Sequence, residues 1–315
     1  MKLVFVTQRV DPADPVLGAT VAKLTALAAR VEELVVLSLA PAALDGAGLP
    51  PNARVVCFGA GSKLGRGVRF ERALARELRG ADGVLAHMCP IYAVLAAPLA
   101  RPLRIPVLLW YAHWHASPTL RLATRVVTRA VSVDAVSYPV PTPKLAAIGH
   151  GIDFSAFRCA EPGDGADLRA IALGRTSPSK GLEIVLEAVA LVPGVRIDLY
   201  GASGSAEERE HRARLQERIA ELGLEERAAI HDPVPRERVA ELHAAADVLV
   251  NNMRAGAPDK AVYEACASCL PVLASNPSFG ELFAGLEPRL SFDRASPDAL
   301  AERLRALAAL TPAQR

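Results

Sequence analysis

Short runs of β-branched residues alternate along the chain with longer segments rich in alanine, leucine and arginine. The first half shows this order in VFV, then the segment at 19–31, then LVVLSL, and it continues through RVVCF and GVLAH. The second half repeats it, with predicted strands at 169–174, 195–200, 227–231, 247–251 and 271–275 and a last helix near 298–310. Such alternation is typical of βαβ units, in which helices cover both faces of a parallel sheet. We therefore predict an α/β fold.

The length of the chain predicts two domains. Its 315 residues exceed what one hydrophobic core usually holds, so we expect two domains of about 150 residues each. Glycine, proline and acidic residues cluster at 158–170, a composition typical of a linker. We place the domains at 1–160 and 161–315.

Charge and hydropathy exclude some classes of partner. The chain has 36 Lys+Arg against 34 Asp+Glu, a net charge of +2, which argues against nucleic acid binding driven by overall charge. The most apolar stretch, 91–114, contains Arg101, Arg104 and three prolines, so it lacks the roughly 20 uninterrupted apolar residues of a membrane helix. The first ten residues break at Gln8 and Arg9, too soon for a secretory leader.

The cysteines predict a reducing compartment. There are five, an odd number in a large chain without leader features, and we expect reduced thiols, a cytoplasmic location and no disulfide framework. Cys266 and Cys269 form a C-x-x-C, but without a second pair or suitably spaced histidines a zinc site is disfavoured. We expect no metal site.

Two cations flank a short polar loop between a predicted strand and a predicted helix at 171–188. The strand ends at Gly174, and Arg175 and Lys180 enclose the loop. An arginine fork and a lysine charge can bind phosphate oxygens, while the amide groups and positive dipole end of the helix neutralise the remaining charge. This loop is therefore a candidate diphosphate site.

A second loop, within 247–275, has features of a ribose site. It contains Gly256, which permits close approach of the backbone to a ligand, and the following predicted helix carries Glu264. A carboxylate can accept hydrogen bonds from both hydroxyl groups of a ribose. The alternative interpretation is a local turn and a local ion pair.

Together these segments resemble group 1 (family 4) glycosyltransferases, retaining enzymes of the GT-B fold. Further matching segments are the opening strand 1–10, WYAHWH at 110–115, IGHGIDFSAF at 148–157 and Pro271-Val272. The resemblance implies two Rossmann-like domains with parallel sheets facing a central cleft. It also implies a nucleoside diphosphate sugar donor, a hydroxyl acceptor (glycan, lipid or small molecule), no metal, and a role in cell envelope or polysaccharide biosynthesis.

The resemblance assigns roles to residues of the second half. Arg175 and Lys180 would bind the pyrophosphate of the donor and act in catalysis, and Glu264 would bind the ribose. The family's other glutamate would stand at position 256, where this chain has Gly256. Lys260, in a P-x-K-x-x-x-E pattern, either replaces that glutamate or is solvated.

Four further residues are assigned by position within the family pattern. His113 would lie near the transferred sugar, with His115 as the alternative. Gly18 would open the first helix and approach phosphates or acceptor, or would serve as a plain turn glycine. Gly201 would line the nucleotide side, and Val234 would pack against the base.

Basic residues on two predicted helices of the first domain suggest a membrane surface. They are Lys63, Arg66, Arg69 and Arg72 on one helix and Arg121, Arg125 and Arg129 on another. Such residues usually form a solvated face, but in the family this domain takes the acceptor and often contacts anionic lipid. We therefore keep peripheral contact with an anionic membrane as a hypothesis.

Two alternatives to a transferase remain open at this point. One is a non-hydrolysing nucleotide-sugar epimerase, which shares the fold but needs its own acid and base carboxylates. The other, suggested by Gly256, is a degenerate transferase that binds nucleotide or a partner without turnover. The loop at 59–67 resembles a dinucleotide fingerprint, but its glycine spacing and position disfavour NAD. The chain ends at 310–315 without the terminal helix of relatives, as a truncated chain would.

Overall fold

The computed structural model describes residues 1–14, 17–44, 48–159, 167–257 and 259–315. They form two compact units, Met1–Gly149 and His150–Arg315. The boundary that the sequence predicts between residues 160 and 161 lies outside the described residues and stays a prediction.

The first unit is built around a parallel sheet of seven strands in the order β3-β2-β1-β4-β5-β6-β7. The strands are β1 (Lys2–Thr7), β2 (Glu33–Ser38), β3 (Ala53–Cys57), β4 (Gly83–His87), β5 (Val107–Trp110), β6 (Arg129–Ser132) and β7 (Leu145–Ala147). The helices are α1 (Ala19–Ala28), α2 (Lys63–Glu77), α3 (Pro90–Ala100) and α4 (Pro118–Val126).

Alternation of side chains along β1 shows how both faces of this sheet become buried. Val4 and Val6 belong to the same apolar cluster as Phe70 of α2. Phe5 points to the other face and belongs to a cluster with Leu24 of α1. Because successive strand residues point to opposite faces, the continuous apolar run of β1 requires a helix on each side.

The second unit contains a parallel sheet of five strands in the order β10-β9-β8-β11-β12. The strands are β8 (Leu168–Leu173), β9 (Val195–Tyr200), β10 (Ala228–His231), β11 (Val248–Asn251) and β12 (Val272–Ala274). The helices are α5 (Leu182–Ala190), α6 (Ala206–Glu221), α7 (Val239–Ala245), α8 (Lys260–Ala267) and α9 (Pro297–Ala308). Together with the first unit, this confirms the predicted α/β fold.

The strand order of the second unit fixes where a ligand can approach. β8 lies in the middle, with β9 on one side and β11 on the other, so the chain leaves β8 and β11 in opposite directions along the sheet. Open parallel sheets bind ligands at the carboxyl ends of such strands. The residues that follow Leu173 and Asn251 are therefore placed side by side.

One predicted helix limit in the first unit is wrong. Arg129 does not continue the helix of Arg121 and Arg125: α4 ends at Val126, Val127 is extended and Arg129 opens β6. The β-branched run at 126–128 favours a strand over a helix. The predicted placement of Lys63, Arg66, Arg69 and Arg72 on one helix is confirmed, since the Ser62 hydroxyl accepts from the Gly65 amide and caps α2 just before Lys63.

The expectation of only reduced thiols is also wrong. Cys159 and Cys269 form a disulfide, with Cα atoms 4.9 Å apart, and Cys57, Cys89 and Cys266 are free. The pair is separated by 110 residues in sequence, so an odd cysteine count did not reveal it. Cys269 reaches its partner from a left-handed backbone conformation, φ 56°, just after α8.

A search of the described residues for a helix that is both long enough and apolar enough to cross a membrane finds none.

Candidate functional site

Two glycines bring the loops after β8 and β9 into contact. A β-carbon at Gly201 would lie 1.7 Å from the Gly174 carbonyl oxygen, and one at Gly174 would lie 2.4 Å from Lys180 Nζ. Gly174 also has a φ of 129°, a conformation that favours glycine. Larger residues at these positions would separate the loops, so the chain needs glycine at both.

A small depression, open to solvent, lies at the carboxyl ends of β8, β9 and β11. Lys180 and Thr176 of the loop after β8 line it, together with Tyr200. Asn251 and Asn252 line it from the end of β11 and are buried, and their Oδ1 atoms have no hydrogen-bond partner among the described residues. The depression therefore offers a cation and a ring.

Lys180 is held by two acceptors. Its ammonium group donates to the Leu173 carbonyl oxygen at 3.2 Å and forms an ion pair with Asp259. An ammonium group has three protons, so these contacts leave one for a ligand. The sequence prediction that this cation follows β8 at a ligand-binding edge is consistent with its place in the depression, although its role in catalysis stays a prediction.

Asp259 is the partner that sequence reasoning missed. It caps α8 by accepting from the Ala261 amide at 3.2 Å, and it also accepts from Asn251 Nδ2 at 2.9 Å. Burial acts to raise the pKa of Asp259, but the Lys180 charge and these hydrogen bonds outweigh it and hold the pKa below its ordinary value. The group is a carboxylate in the folded chain.

Arg175 is directed to α6. Its Nη1 donates to Glu208 Oε1 at 2.9 Å, and half of the arginine side chain is exposed. Glu208 is fixed in turn by a capping box with Ser205 at the start of α6. Arg175 and Lys180 thus share one loop, and each is paired with a carboxylate.

Glu264 lies on α8 with two cations around it. Arg236 Nη2 lies 2.7 Å and Lys260 Nζ lies 3.3 Å from Glu264 Oε1. Burial lowers the pKa of Lys260, and the Glu264 charge partly offsets this. Lys260 is therefore half-buried and paired rather than fully solvated, and the sequence did not single out Arg236.

No group of three or more His, Cys, Asp or Glu side chains able to hold a metal is present in the described part of the chain.

Comparison with known proteins decides the family. The sequence model described as "Glycosyl transferases group 1" matches residues 157–315. The chain belongs to this family. A D-inositol 3-phosphate glycosyltransferase from Mycobacteroides abscessus is 32% identical over 117 residues, a match that covers 37% of this chain and 26% of the relative.

Solved structures of similar fold span nearly the whole of this group 1 family member. A sucrose-phosphate synthase from Thermosynechococcus elongatus superimposes with a TM-score of 0.78 at 20% identity, covering 100% of this chain and 91% of the other. The Anabaena protein HepE in complex with UDP gives 0.75 at 19% identity, covering 100% and 94%. These likenesses confirm the GT-B fold.

An aromatic pair borders the depression in this group 1 family member. The rings of Tyr200 and His231 stack with centroids 4.5 Å apart and 16° between planes, and His231 Nε2 lies 2.6 Å from Asp198 Oδ1. Burial and, secondarily, the Asp198 charge raise the pKa of Tyr200. Val234 follows β10 and is half-buried. The sequence indicated Gly201 and Val234 here but not the stacked rings.

Gly18 and Gly256 each occupy a position that suits glycine. Gly18 is the residue before α1, and a β-carbon there would lie 2.5 Å from the Pro12 carbonyl oxygen. The Gly18 amide donates to the Asp14 carbonyl at 2.9 Å, so this amide is already hydrogen-bonded within a turn. Gly256 is buried with φ 74°, and Pro258 of the neighbouring pattern lies outside the described residues.

His113 lies in the first unit, just after β5, and is exposed. Its Nδ1 accepts from the His115 amide at 3.1 Å, and its ring stacks on Trp114 with centroids 4.9 Å apart. Because Nδ1 accepts, the neutral ring carries its proton on Nε2. The place of His113 beside the transferred sugar stays a prediction.

Proposed function

We propose that the chain is a retaining glycosyltransferase that moves a sugar from a nucleoside diphosphate sugar to a hydroxyl acceptor. The observation that carries this is Lys180, which lines the depression at the carboxyl ends of β8 and β11 with one proton of its ammonium group left for a ligand. The family and the fold support the proposal, and the UDP bound to HepE makes uracil the first base to test.

The positive groups of the loop would bind the leaving diphosphate. Gly181 precedes α5 and provides no side-chain cap, so the first amides of the helix are available to phosphate oxygens. Arg175 spends one of five N–H donors on Glu208 and can bind phosphate with the others. Charge grows on the diphosphate in the transition state, where these groups oppose it.

Other groups of the second unit would bind the nucleoside. Glu264 would accept from the ribose hydroxyls, with Arg236 and Lys260 fixing its carboxylate. Tyr200, stacked on His231, would offer an aromatic surface for the base, and Val234, which follows β10, would pack against the base.

We also propose that the reaction needs no divalent metal, since side chains and a helix end supply the positive charge. Transfer that continues unchanged in excess EDTA supports this part of the proposal. Transfer that stops in EDTA and returns with Mg²⁺ contradicts it.

The first unit would bind the acceptor, with His113 near the reacting oxygen. The protein would act in the cytoplasm, in peripheral contact with the membrane. The exposed basic side chains of Lys63 and Arg72 on α2 and Arg121 and Arg125 on α4 support contact with anionic lipid. Vesicle flotation tests it: equal recovery on neutral and anionic vesicles contradicts it. Because Cys159 and Cys269 form a disulfide, the cysteines no longer support a cytoplasmic location. That location rests on the proposed substrate class.

Donor cleavage tests the main proposal. The chain is incubated with UDP-, GDP- and ADP-sugars, and release of the nucleoside diphosphate is measured by chromatography, with Lys180→Ala and, as control, the exposed Lys63→Ala. We expect release from one class of donor, lost in Lys180→Ala only. Release that persists in Lys180→Ala contradicts the assignment.

A second candidate is a chain that binds the nucleotide without transferring sugar. Gly256 favours it, because the residue stands where the family pattern has a glutamate, and its φ of 74° would strain one. Nucleotide binding without cleavage of any donor, with or without added acceptors, would support this candidate over the transferase.

A further inference from the structure

A buried histidine lies behind the loop that carries Arg175 and Lys180. His211 of α6 has no exposed surface. Its Nδ1 lies 3.2 Å from the Thr176 carbonyl oxygen, and its Nε2 lies 2.8 Å from Glu183 Oε1 on α5. The ring thus connects the loop to two helices.

Both partners of the ring are acceptors. A carbonyl oxygen has no proton to donate, and neither has a carboxylate. Hydrogen bonds at both distances therefore require a proton on each ring nitrogen. A neutral ring would satisfy one partner and face the other with a lone pair.

The ring lies among charged groups of two helices. Glu183 faces it from α5, and one turn further along the same helix Glu187 pairs with Arg218 of α6 at 2.7 Å. On α6, Glu208 pairs with Arg175, and Arg212 is directed to Asp232. The His211–Glu183 contact thus lies one turn from a second contact between α5 and α6.

Thr176 transmits this contact to the site. Its amide donates to the Ala202 carbonyl at 3.0 Å, and its hydroxyl lies 2.5 Å from the Ser203 hydroxyl. The contact with His211 adds the carbonyl, so every polar atom of Thr176 is engaged. Thr176 is buried and stands directly after Arg175, within the loop that ends at Lys180.

We propose that His211 is a positioning residue for diphosphate binding: doubly protonated, it holds the Thr176 carbonyl against Glu183 and thereby fixes the loop of Arg175 and Lys180. The diphosphate part rests on the proposed function, whereas the protonation of the ring does not. The ring does not touch the ligand and acts through Thr176 alone.

Ring ¹⁵N NMR of the full chain at neutral pH tests the protonation. We expect two protonated nitrogens at His211, assigned by their loss in His211→Gln. His243 is the internal control: burial lowers its pKa to about 4, so its ring must show one nitrogen without a proton. The same neutral pattern at His211 would overturn the proposal.

Calorimetric titration with UDP tests the positioning. Loss of a charge-assisted hydrogen bond should weaken UDP binding about tenfold in His211→Gln. If that variant does not fold, Glu183→Gln keeps an acceptor oxygen without its charge; there we expect a ring nitrogen without a proton and roughly threefold weaker binding. Unchanged UDP affinity in a folded variant overturns this inference alone, whereas a wild-type chain that binds none of UDP, GDP or ADP contradicts the proposed function.

Discussion

The Lys180 ammonium group is paired with the Asp259 carboxylate, which also caps α8 and accepts from Asn251. A diphosphate that binds Lys180 must therefore share it with a carboxylate already in place. Both side chains are largely buried, about 15% and 16% exposed, so the charge balance of the site depends on both.

Removal of the Asp259 charge should cost stability that a nucleotide restores. In Asp259→Asn the cap remains, but Lys180 is left as a buried charge without its partner, so we expect the free energy of unfolding to fall by about 2–4 kcal/mol. Because UDP would supply the missing negative charge, saturating UDP should narrow this difference. Urea denaturation followed by circular dichroism measures both.

Asp247→Asn is the matched control for that experiment. Asp247 is also buried and pairs with Arg169 at 3.0 Å, at the start of β8 rather than at its carboxyl end. We expect Asp247→Asn to lower the free energy of unfolding, and we expect the difference from wild type to be the same with and without UDP. An equal response of both variants to UDP would contradict the role of Asp259.

A methyl group at Gly201 should open the site. Gly201→Ala places a β-carbon 1.7 Å from a backbone oxygen, which forces the loops after β8 and β9 apart. We expect a lower melting temperature and UDP binding weakened at least tenfold. Gly204→Ala serves as control, since a β-carbon there would lie 3.7 Å from Glu208 Oε2, an ordinary contact, and this variant should bind UDP as the wild type does. Normal UDP affinity in Gly201→Ala would show that the loop contact is irrelevant to binding.

The first unit should lose stability in mild acid through His87. Burial, and secondarily the Lys23 charge, lower the pKa of His87 from 6.5 to about 3. In the unfolded chain His87 gains a proton near pH 6.5, and in the folded chain it does not. The full free energy of unfolding is therefore reached above about pH 6.5. It falls below that pH by about 1.4 kcal/mol per unit, down to about pH 3.

Tryptophan fluorescence measures this in the right unit, because both tryptophans of the chain, Trp110 and Trp114, belong to Met1–Gly149. Urea titrations at several pH values should show the loss in wild type and a smaller loss in His87→Gln. If the free energy of unfolding fell equally with pH in wild type and His87→Gln, the acid sensitivity would not come from His87.

Thiol labelling should separate the five cysteines into three classes. Cys57 and Cys266 are exposed and should react at once. Cys89 is buried, which raises its pKa to about 12, and should react only on unfolding. Cys159 and Cys269 should react only after reduction. Mass spectrometry that counts five labels on an unreduced, unfolded chain would rule out the disulfide.

Patterns local in sequence were enough to predict the sheets. The apolar runs of β1 and β8 determine buried parallel strands whatever surrounds them, and glycines after those strands mark close backbone contacts. The sequence placed Gly174 and Gly201 directly after predicted strands, but the contact between their two loops was not predicted. The end of α4 was missed because a β-branched run outweighed the charge periodicity of Arg121, Arg125 and Arg129.

Partners distant in sequence could not be predicted. Asp259 reaches Lys180 across 79 residues, and Cys159 reaches Cys269 across 110. Arg236 lies in a turn whose sequence shows only a surface cation, until folding places it on Glu264. Such pairs depend on strand order, which a single sequence does not reveal.

The central claim is that Lys180 and its loop bind a nucleoside diphosphate. Thermal unfolding of wild type and Lys180→Ala with UDP, GDP and ADP tests it most directly, because a ligand that binds only the folded chain raises the melting temperature. We predict that one nucleotide stabilises the wild type and that Lys180→Ala loses this shift. A wild type unaffected by all three nucleotides, or a variant with an equal shift, would contradict the claim.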